Sequence, residues 1–231
     1  MKGRTVSFAQ SGCDNPVGGN NLPTQEDPAI EAAPGTEGLE FAQDGAAYTV
    51  TGFTGTARVV VIPATHNGLP VVSIGDRAFA DTEHRETLTG VTIPNSVTHI
   101  GEKAFWNNQL TNVTIPDSVT HIGTLAFADN QLTSATIGNS VISIGEEAFA
   151  GTGNRLTNVS IPDSVTSIGW GAFYCNKLLT KVTIPFDTLD AADQRWNADS
   201  CGEIGPWWRK GIPDSVWVFA PPNPRSPFPS P

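Results

Sequence analysis

The sequence predicts a solenoid, a chain wound into stacked coils that each add one short strand to a parallel ladder. Three observations predict it. One phrase recurs through the middle of the chain. Its period, close to 22 residues, is too short for one copy to bury its own apolar face. The composition, with 23 Gly, 18 Pro and only 16% charged residues in 231, suits short strands and turns better than helices.

The phrase first reads Val91-Thr92-Ile93-Pro94-Asn95-Ser96-Val97-Thr98-His99-Ile100-Gly101, followed by Ala104-Phe105. It returns at 113–123 with Ala126-Phe127, at 135–145 with Ala148-Phe149, and at 159–169 with Ala172-Phe173. A divergent earlier copy holds Val60-Val61-Ile62-Pro63, Ser73-Ile74-Gly75 and Ala78-Phe79, and Val182-Thr183-Ile184-Pro185 is a last strand-like piece. The Ile before Pro falls at 62, 93, 115, 137, 161 and 184, at intervals of 31, 22, 22, 24 and 23. Gly138 is the one break in the proline column. The long first interval holds extra residues around His66-Asn67-Gly68 and from Asp81 to Glu86.

Each part of the unit has a physical role. Leu110-Thr111-Asn112-Val113-Thr114-Ile115 alternates apolar and polar residues, the pattern of a strand with one buried face. Pro116 ends it, because proline cannot donate to a ladder. Val119 and Ile122 point inward on the returning arc. Gly123 allows a bend where a side chain would clash, and Ala126 and Phe127 fill the far side.

The order Leu-x-x-Val-x-Ile-Pro-x-Ser-Val-x-x-Ile-Gly-x-x-Ala-Phe resembles the treponemal, BspA-like class of leucine-rich repeats. That class places a Cys two residues after Ala-Phe. Only Cys175 matches here, while Asp81, Asn107, Asp129 and Gly151 hold the equivalent places. Cys175 is therefore read as a repeat-core position and not a reactive thiol. The resemblance spans roughly residues 40–220 and is tightest over 88–185. The predicted fold is thus a leucine-rich repeat solenoid. It has short parallel strands on a concave side, an irregular, 3-10 or short helical convex side, and caps at both ends.

The domain boundaries follow. Residues 1–38 and 221–231 lack periodicity and read as a disordered N-terminal tail and a Pro-rich tail. Residues 39–56, with Tyr48-Thr49-Val50-Thr51-Gly52-Phe53, form a capping hairpin, and residues 57–185 hold the repeats. Residues 186–220 form the second cap. Its Asp187–Trp196 stretch has helical composition, and its Ile212–Phe219 stretch echoes the repeat phrase as a closing strand.

A protein-binding surface is expected on the concave strand face, from Thr92, Asn112, Thr114, Thr136, Asn158, Ser160, Lys181 and Thr183. Threonine also suits strands for its own sake, so the column by itself proves no ligand. Trp207, Trp208 and Trp217 either plug the open end of the core or form an interface, since tryptophan favours both. His99 and His121 should stack one strand spacing apart, with Ser143 and Ser167 continuing their column. Two ligands make a poor metal site, so no metal is expected. Asp76-Arg77, Glu102-Lys103 and Glu146-Glu147 read as a solvated outer face.

No catalytic constellation, phosphate loop or cofactor motif stands out, so neither enzyme activity nor a cofactor is expected. The formal net charge of −10 disfavours nucleic acid. No apolar run is long enough to span a membrane. Ser11-Gly12-Cys13 resembles the end of a lipoprotein signal, making Cys13 a lipidation candidate, although most of the preceding apolar stretch is missing. The alternatives are a start placed downstream of the true signal, an artificial chain end, or a chance Gly-Cys pair. A Cys175–Cys201 bond is open. The BspA-like resemblance implies a bacterial surface or periplasmic adhesin that binds a protein ligand such as a host matrix protein. The alternative is a structural homo-oligomer, joined through strand edges and the aromatic end.

Overall fold

The computed structural model describes residues 35–80, 87–183, 207–210 and 216–220. The stretch expected to be helical (187–196), the polar loop 81–86, most of the N-terminal tail and the Pro-rich tail lie outside them.

The chain enters through an antiparallel hairpin, β1 (Leu39–Asp44) and β2 (Ala47–Phe53). β3 (Val59–Val61) starts the first coil. β4 (Thr65–His66) and β5 (Leu69–Ile74) follow as a second small hairpin, whose turn has Asn67 and Gly68 at φ 48° and 79°. Two successive positive φ values make the tight turn whose twist matches paired strands. This hairpin accounts for part of the extra length of the first interval.

Each later coil then contributes two strands. The three-residue strands are β6 (Gly90–Thr92), β8 (Asn112–Thr114), β10 (Ser134–Thr136), β12 (Asn158–Ser160) and β14 (Lys181–Thr183). The two-residue strands are β7 (His99–Ile100), β9 (His121–Ile122), β11 (Ser143–Ile144) and β13 (Ser167–Ile168). The two-residue strands pair in parallel in unbroken order from β5 to β13, and β2 joins β5 at the start. The three-residue strands pair only as β3–β6, β8–β10 and β12–β14. Beyond β14, β16 (Val216–Ala220) and then β15 (Trp207–Lys210) add antiparallel strands; β16 overlaps the expected closing strand 212–219, of which 212–215 lie outside the described residues.

The third side of each coil is a run of turns, and no helix occurs among the described residues. Its backbone bonds run between coils: the Phe105 N–H donates to Ala126 O at 2.8 Å, and Phe127 N–H to Ala148 O at 2.8 Å. Lys103, Leu125 and Glu147 adopt φ of 54°, 57° and 50°, and Gly171 occupies the same column at 61°. Asn107, Asp129 and Cys175 repeat this four residues on, at 55°, 53° and 65°, with Gly151 in line. A residue in the left-handed region at such short intervals prevents a right-handed helix from propagating. Of the convex-side alternatives, the irregular one is realised.

The core follows the alternation read from the repeats. Val113 and Ile115 are buried between exposed Asn112 and Thr114, and Val119, Ile122, Ala126 and Phe127 are buried behind them. Phe79, Phe105, Phe127, Phe149 and Phe173 stack in file at 5.0, 5.2, 5.4 and 5.5 Å with nearly parallel planes. Offset stacks of this kind add about 0.5–1.5 kcal/mol per pair beyond burial. Gly123 lies so close to the coil before it that a Cβ would collide with the Gly101 backbone. The bend expected there is therefore demanded by the neighbouring coil.

A second file was not singled out in the sequence. Asn108, Asn130, Asn154 and Asn176 are buried. The Asn130 Nδ2 donates to the carbonyls of Phe105, Phe127 and Ala128 at 2.9, 3.1 and 3.2 Å, and its Oδ1 accepts the Leu110 N–H at 3.1 Å. The amides thus supply hydrogen bonds to backbone groups that the turns cannot pair among themselves.

Candidate functional site

The three-residue strands present the predicted surface. Thr92, Asn112, Thr114, Thr136, Asn158, Ser160 and Lys181 are exposed, and Thr183 is half-buried. Pairing sets Thr114 beside Thr136, Asn158 beside Lys181, and Ser160 beside Thr183. The predicted row is therefore brought together in register, but in three segments and not one continuous ladder. Lys181 is its only charged member. Hydroxyl and amide groups on such a surface can both donate and accept hydrogen bonds, and they lose little on desolvation compared with charges.

At the margin of this face runs the column Asn95, Asp117, Asn139 and Asp163, all exposed. The Asp117 Oδ1 accepts the Asn139 N–H at 2.7 Å. A cavity of about 530 Å³ lies between this column and the strands, where Gly138 interrupts the prolines.

His99 and His121 stack as expected, with ring centroids 4.8 Å apart and planes 5° from parallel, and Ser143 continues their column in register. They belong to the two-residue ladder and not to the Thr face. Each Nδ1 lies 2.8 Å from the hydroxyl of the preceding threonine, Thr98 or Thr120. A threonine hydroxyl has one proton. Thr98 gives it to Val72 O at 3.1 Å and Thr120 gives it to Thr98 O at 3.0 Å. With those protons committed to carbonyls, each imidazole Nδ1 is placed as the donor to its threonine hydroxyl. Two consequences follow. The hydroxyl–imidazole pairs are not nucleophile–base pairs, because the ring nitrogen facing the hydroxyl has no lone pair to receive its proton. Nor can two parallel rings aim both in-plane lone pairs at one ion. Among the described residues, no group of three His, Cys, Asp or Glu is placed to hold a metal.

On the outer side, Asp76, Arg77, Glu102 and Glu146 are exposed, with Lys103 and Glu147 half-buried. Lys103 donates to Glu102 Oε1 at 2.8 Å, and this hydrogen bond, with the charge of Lys103, lowers the Glu102 pKa. Trp170, half-exposed, stacks on Tyr174 at 5.9 Å, and the Trp106 Nε1–H donates to Asp129 Oδ2 at 3.2 Å. Trp207 and Trp208 fall in β15 and Trp217 in β16.

Cys175 is buried in its column and disulfide-bonded. Cys13 and Cys201 lie outside the described residues. No helix among the described residues is long and apolar enough to cross a membrane.

The buried asparagines are the residues that sequence reasoning missed. Their signal was present as Asn108-Gln109-Leu110, Asn130-Gln131-Leu132 and Asn154-Arg155-Leu156, an Asn two residues before each inward Leu.

Comparison with known proteins agrees with this architecture. A family model described as a BspA type leucine rich repeat region matches residues 69–196 in six copies. A leucine-rich repeat protein of T. pallidum is 28% identical in sequence. The match covers 67% of this chain and 72% of that one, with a TM-score of 0.60. A leucine-rich cell surface protein from Faecalibacterium prausnitzii is 25% identical over 77% of this chain and 58% of that one, with a TM-score of 0.42. None of the curated proteins matches the chain.

Proposed function

The chain belongs to the family of BspA-type leucine-rich repeat proteins, and on that premise we propose that it is a non-enzymatic protein-binding module of the bacterial surface or periplasm, an adhesin that docks a protein ligand on its three-residue strands. One observation carries the reading: a row of small, exposed, nearly uncharged hydroxyl and amide side chains held in register across successive coils. A rigid floor of this kind loses little entropy on binding, because its side chains are short and its backbone is fixed by the ladder. The location draws on two features. Disulfides persist in oxidising compartments, and Cys175 is in one. Ser11-Gly12-Cys13 resembles the end of a lipidation signal, with Cys13 as the acceptor, although most of the preceding apolar stretch is missing.

The test is a binding panel. The protein is immobilised and titrated with fibronectin, laminin and fibrinogen beside a Thr114→Lys, Asn158→Lys variant. Saturable binding by the parent and none by the equally folded variant is the expected result. Equal binding by both would move the site away from the strand face, and no binding to any matrix protein would remove the host-matrix partner.

A second reading, self-assembly, is favoured by the end of the four-stranded sheet. There β15 pairs with β16 on one side and with no strand on the other among the described residues. An unpaired edge is a template for a second chain. Light-scattering mass should then rise with concentration, and a mass that stays monomeric would dispose of this reading.

A further inference from the structure

The break in the proline column has a structural consequence. At Gly138 the chain sinks toward the coil before it, where a Cβ would collide with the Pro116 carbonyl. With no ring at this position, a cavity of about 530 Å³ opens between Pro116 and Pro162. Its lining includes Thr114, Thr136, Ser160, Asn95, Asn139 and Asp117, all of them exposed. Sites of this volume fall within the range that holds a small ligand or a single large side chain, about 300–1,000 Å³.

We propose that this notch is a subsite for a basic side chain, lysine or arginine, of the protein that docks on the strand face. The proposal rests on the protein-binding reading and specifies what the face selects. Asp117 is the only ionisable residue in the lining, and no Lys, Arg or His joins it. Its Oδ1 is fixed by the Asn139 N–H, which leaves Oδ2 without a partner among the described residues. A carboxylate held by a backbone N–H, among residues whose side chains carry hydroxyl and amide oxygens, offers acceptors, and a guanidinium offers five donors while an ammonium offers three. An anion would meet no positive charge here. A sugar would find no aromatic ring in the lining on which to stack. Half-buried Pro162 adds apolar surface to the lining, which suits the aliphatic stem of a long basic side chain.

The test uses the full chain and defined probes. N-acetyl-arginine amide and N-acetyl-lysine amide are titrated into isotope-labelled protein and followed through backbone amide resonances, with N-acetyl-glutamate amide as the opposite charge. Saturable shifts confined to residues 114–117 and 135–139 are expected from the basic probes and not from the acidic one. Asp117→Asn retains the acceptor for the Asn139 N–H but removes the charge, and should weaken binding at least about tenfold. Asp117→Glu should restore it to within about threefold, which a merely structural role for Asp117 would not predict. Equal shifts from the acidic probe, shifts elsewhere, or full binding by a folded Asp117→Asn protein would each overturn the subsite. Failure of the matrix panel with the arginine shifts intact would strike the protein occupant and keep the cation subsite. Panel binding without arginine shifts would strike the subsite alone.

Discussion

Replacing Asn130 with alanine tests the buried amide file, and Asn176 supplies an internal control. Asn130 is 1% exposed and makes four hydrogen bonds. The three carbonyls that it serves each keep another donor. Asn108 Nδ2 still reaches Phe105 O, Asn154 Nδ2 still reaches Phe127 O, and the Asn107 N–H still reaches Ala128 O. The penalty therefore concentrates on the Leu110 N–H, whose acceptor is Asn130 Oδ1. An orphaned buried donor costs about 1–3 kcal/mol, and the bonds of the two lost amide hydrogens about 1 kcal/mol each, so Asn130→Ala should cost about 3–5 kcal/mol. Asn176 is as deeply placed, and its Nδ2 donates to Phe149 O and Phe173 O at 2.9 Å each. Its Oδ1, however, has no partner among the described residues. Asn176→Ala orphans no described backbone donor through that oxygen and, with two amide bonds lost, should cost about 2 kcal/mol. Urea unfolding followed by far-ultraviolet circular dichroism on both variants measures the difference, which should be about 2 kcal/mol. Equal losses, or a larger loss at Asn176, would refute the idea that the file acts by satisfying backbone groups of the preceding coil.

Two further outcomes follow from the stacked coils. Phe127→Ala removes a fully buried ring from between Phe105 and Phe149, and should cost about 3–5 kcal/mol in the same unfolding measurement. A loss below about 2 kcal/mol would mean that the neighbouring coils close over the cavity. Glu147 sits at φ 50° in the column that Gly171 shares, so Glu147→Gly should leave the melting temperature nearly unchanged. Glu147→Val, a β-branched residue forced into the same conformation, should cost about 1–3 kcal/mol. Equal melting temperatures for the two variants would show that the left-handed turn relaxes.

The legible parts of the fold and of the site share a cause. Val113, Ile115, Val119, Ile122, Ala126 and Phe127 could be assigned inward because each sits in a unit that repeats, and a periodic chain makes the same packing decision several times over. The exposed row Thr92, Thr114, Thr136 and Ser160 came from the same alternation. Asn108, Asn130 and Asn154 went unread because an asparagine beside a loop is ordinarily a turn residue. Only the neighbouring coil shows which carbonyls and which N–H its amide serves. The notch at Gly138 was visible as a broken column, yet its volume and its Asp117 wall depend on how far one coil sinks toward the next.

The sequence by itself determined the period, the burial of one face, the stacking of His99 on His121, and membership of a repeat class whose single units cannot fold alone. Those properties are local, set by alternation and by the spacing of Ile-Pro and Ala-Phe. The tertiary structure decided the rest. It made the convex side a ladder of left-handed turns and not a helix. It broke the three-residue ladder into separate pairs, and it set each imidazole Nδ1 as donor to a threonine hydroxyl whose own proton goes to Val72 O or Thr98 O. Each of these depends on hydrogen bonds between coils, whose partners lie more than twenty residues apart in the chain, where no local pattern reaches.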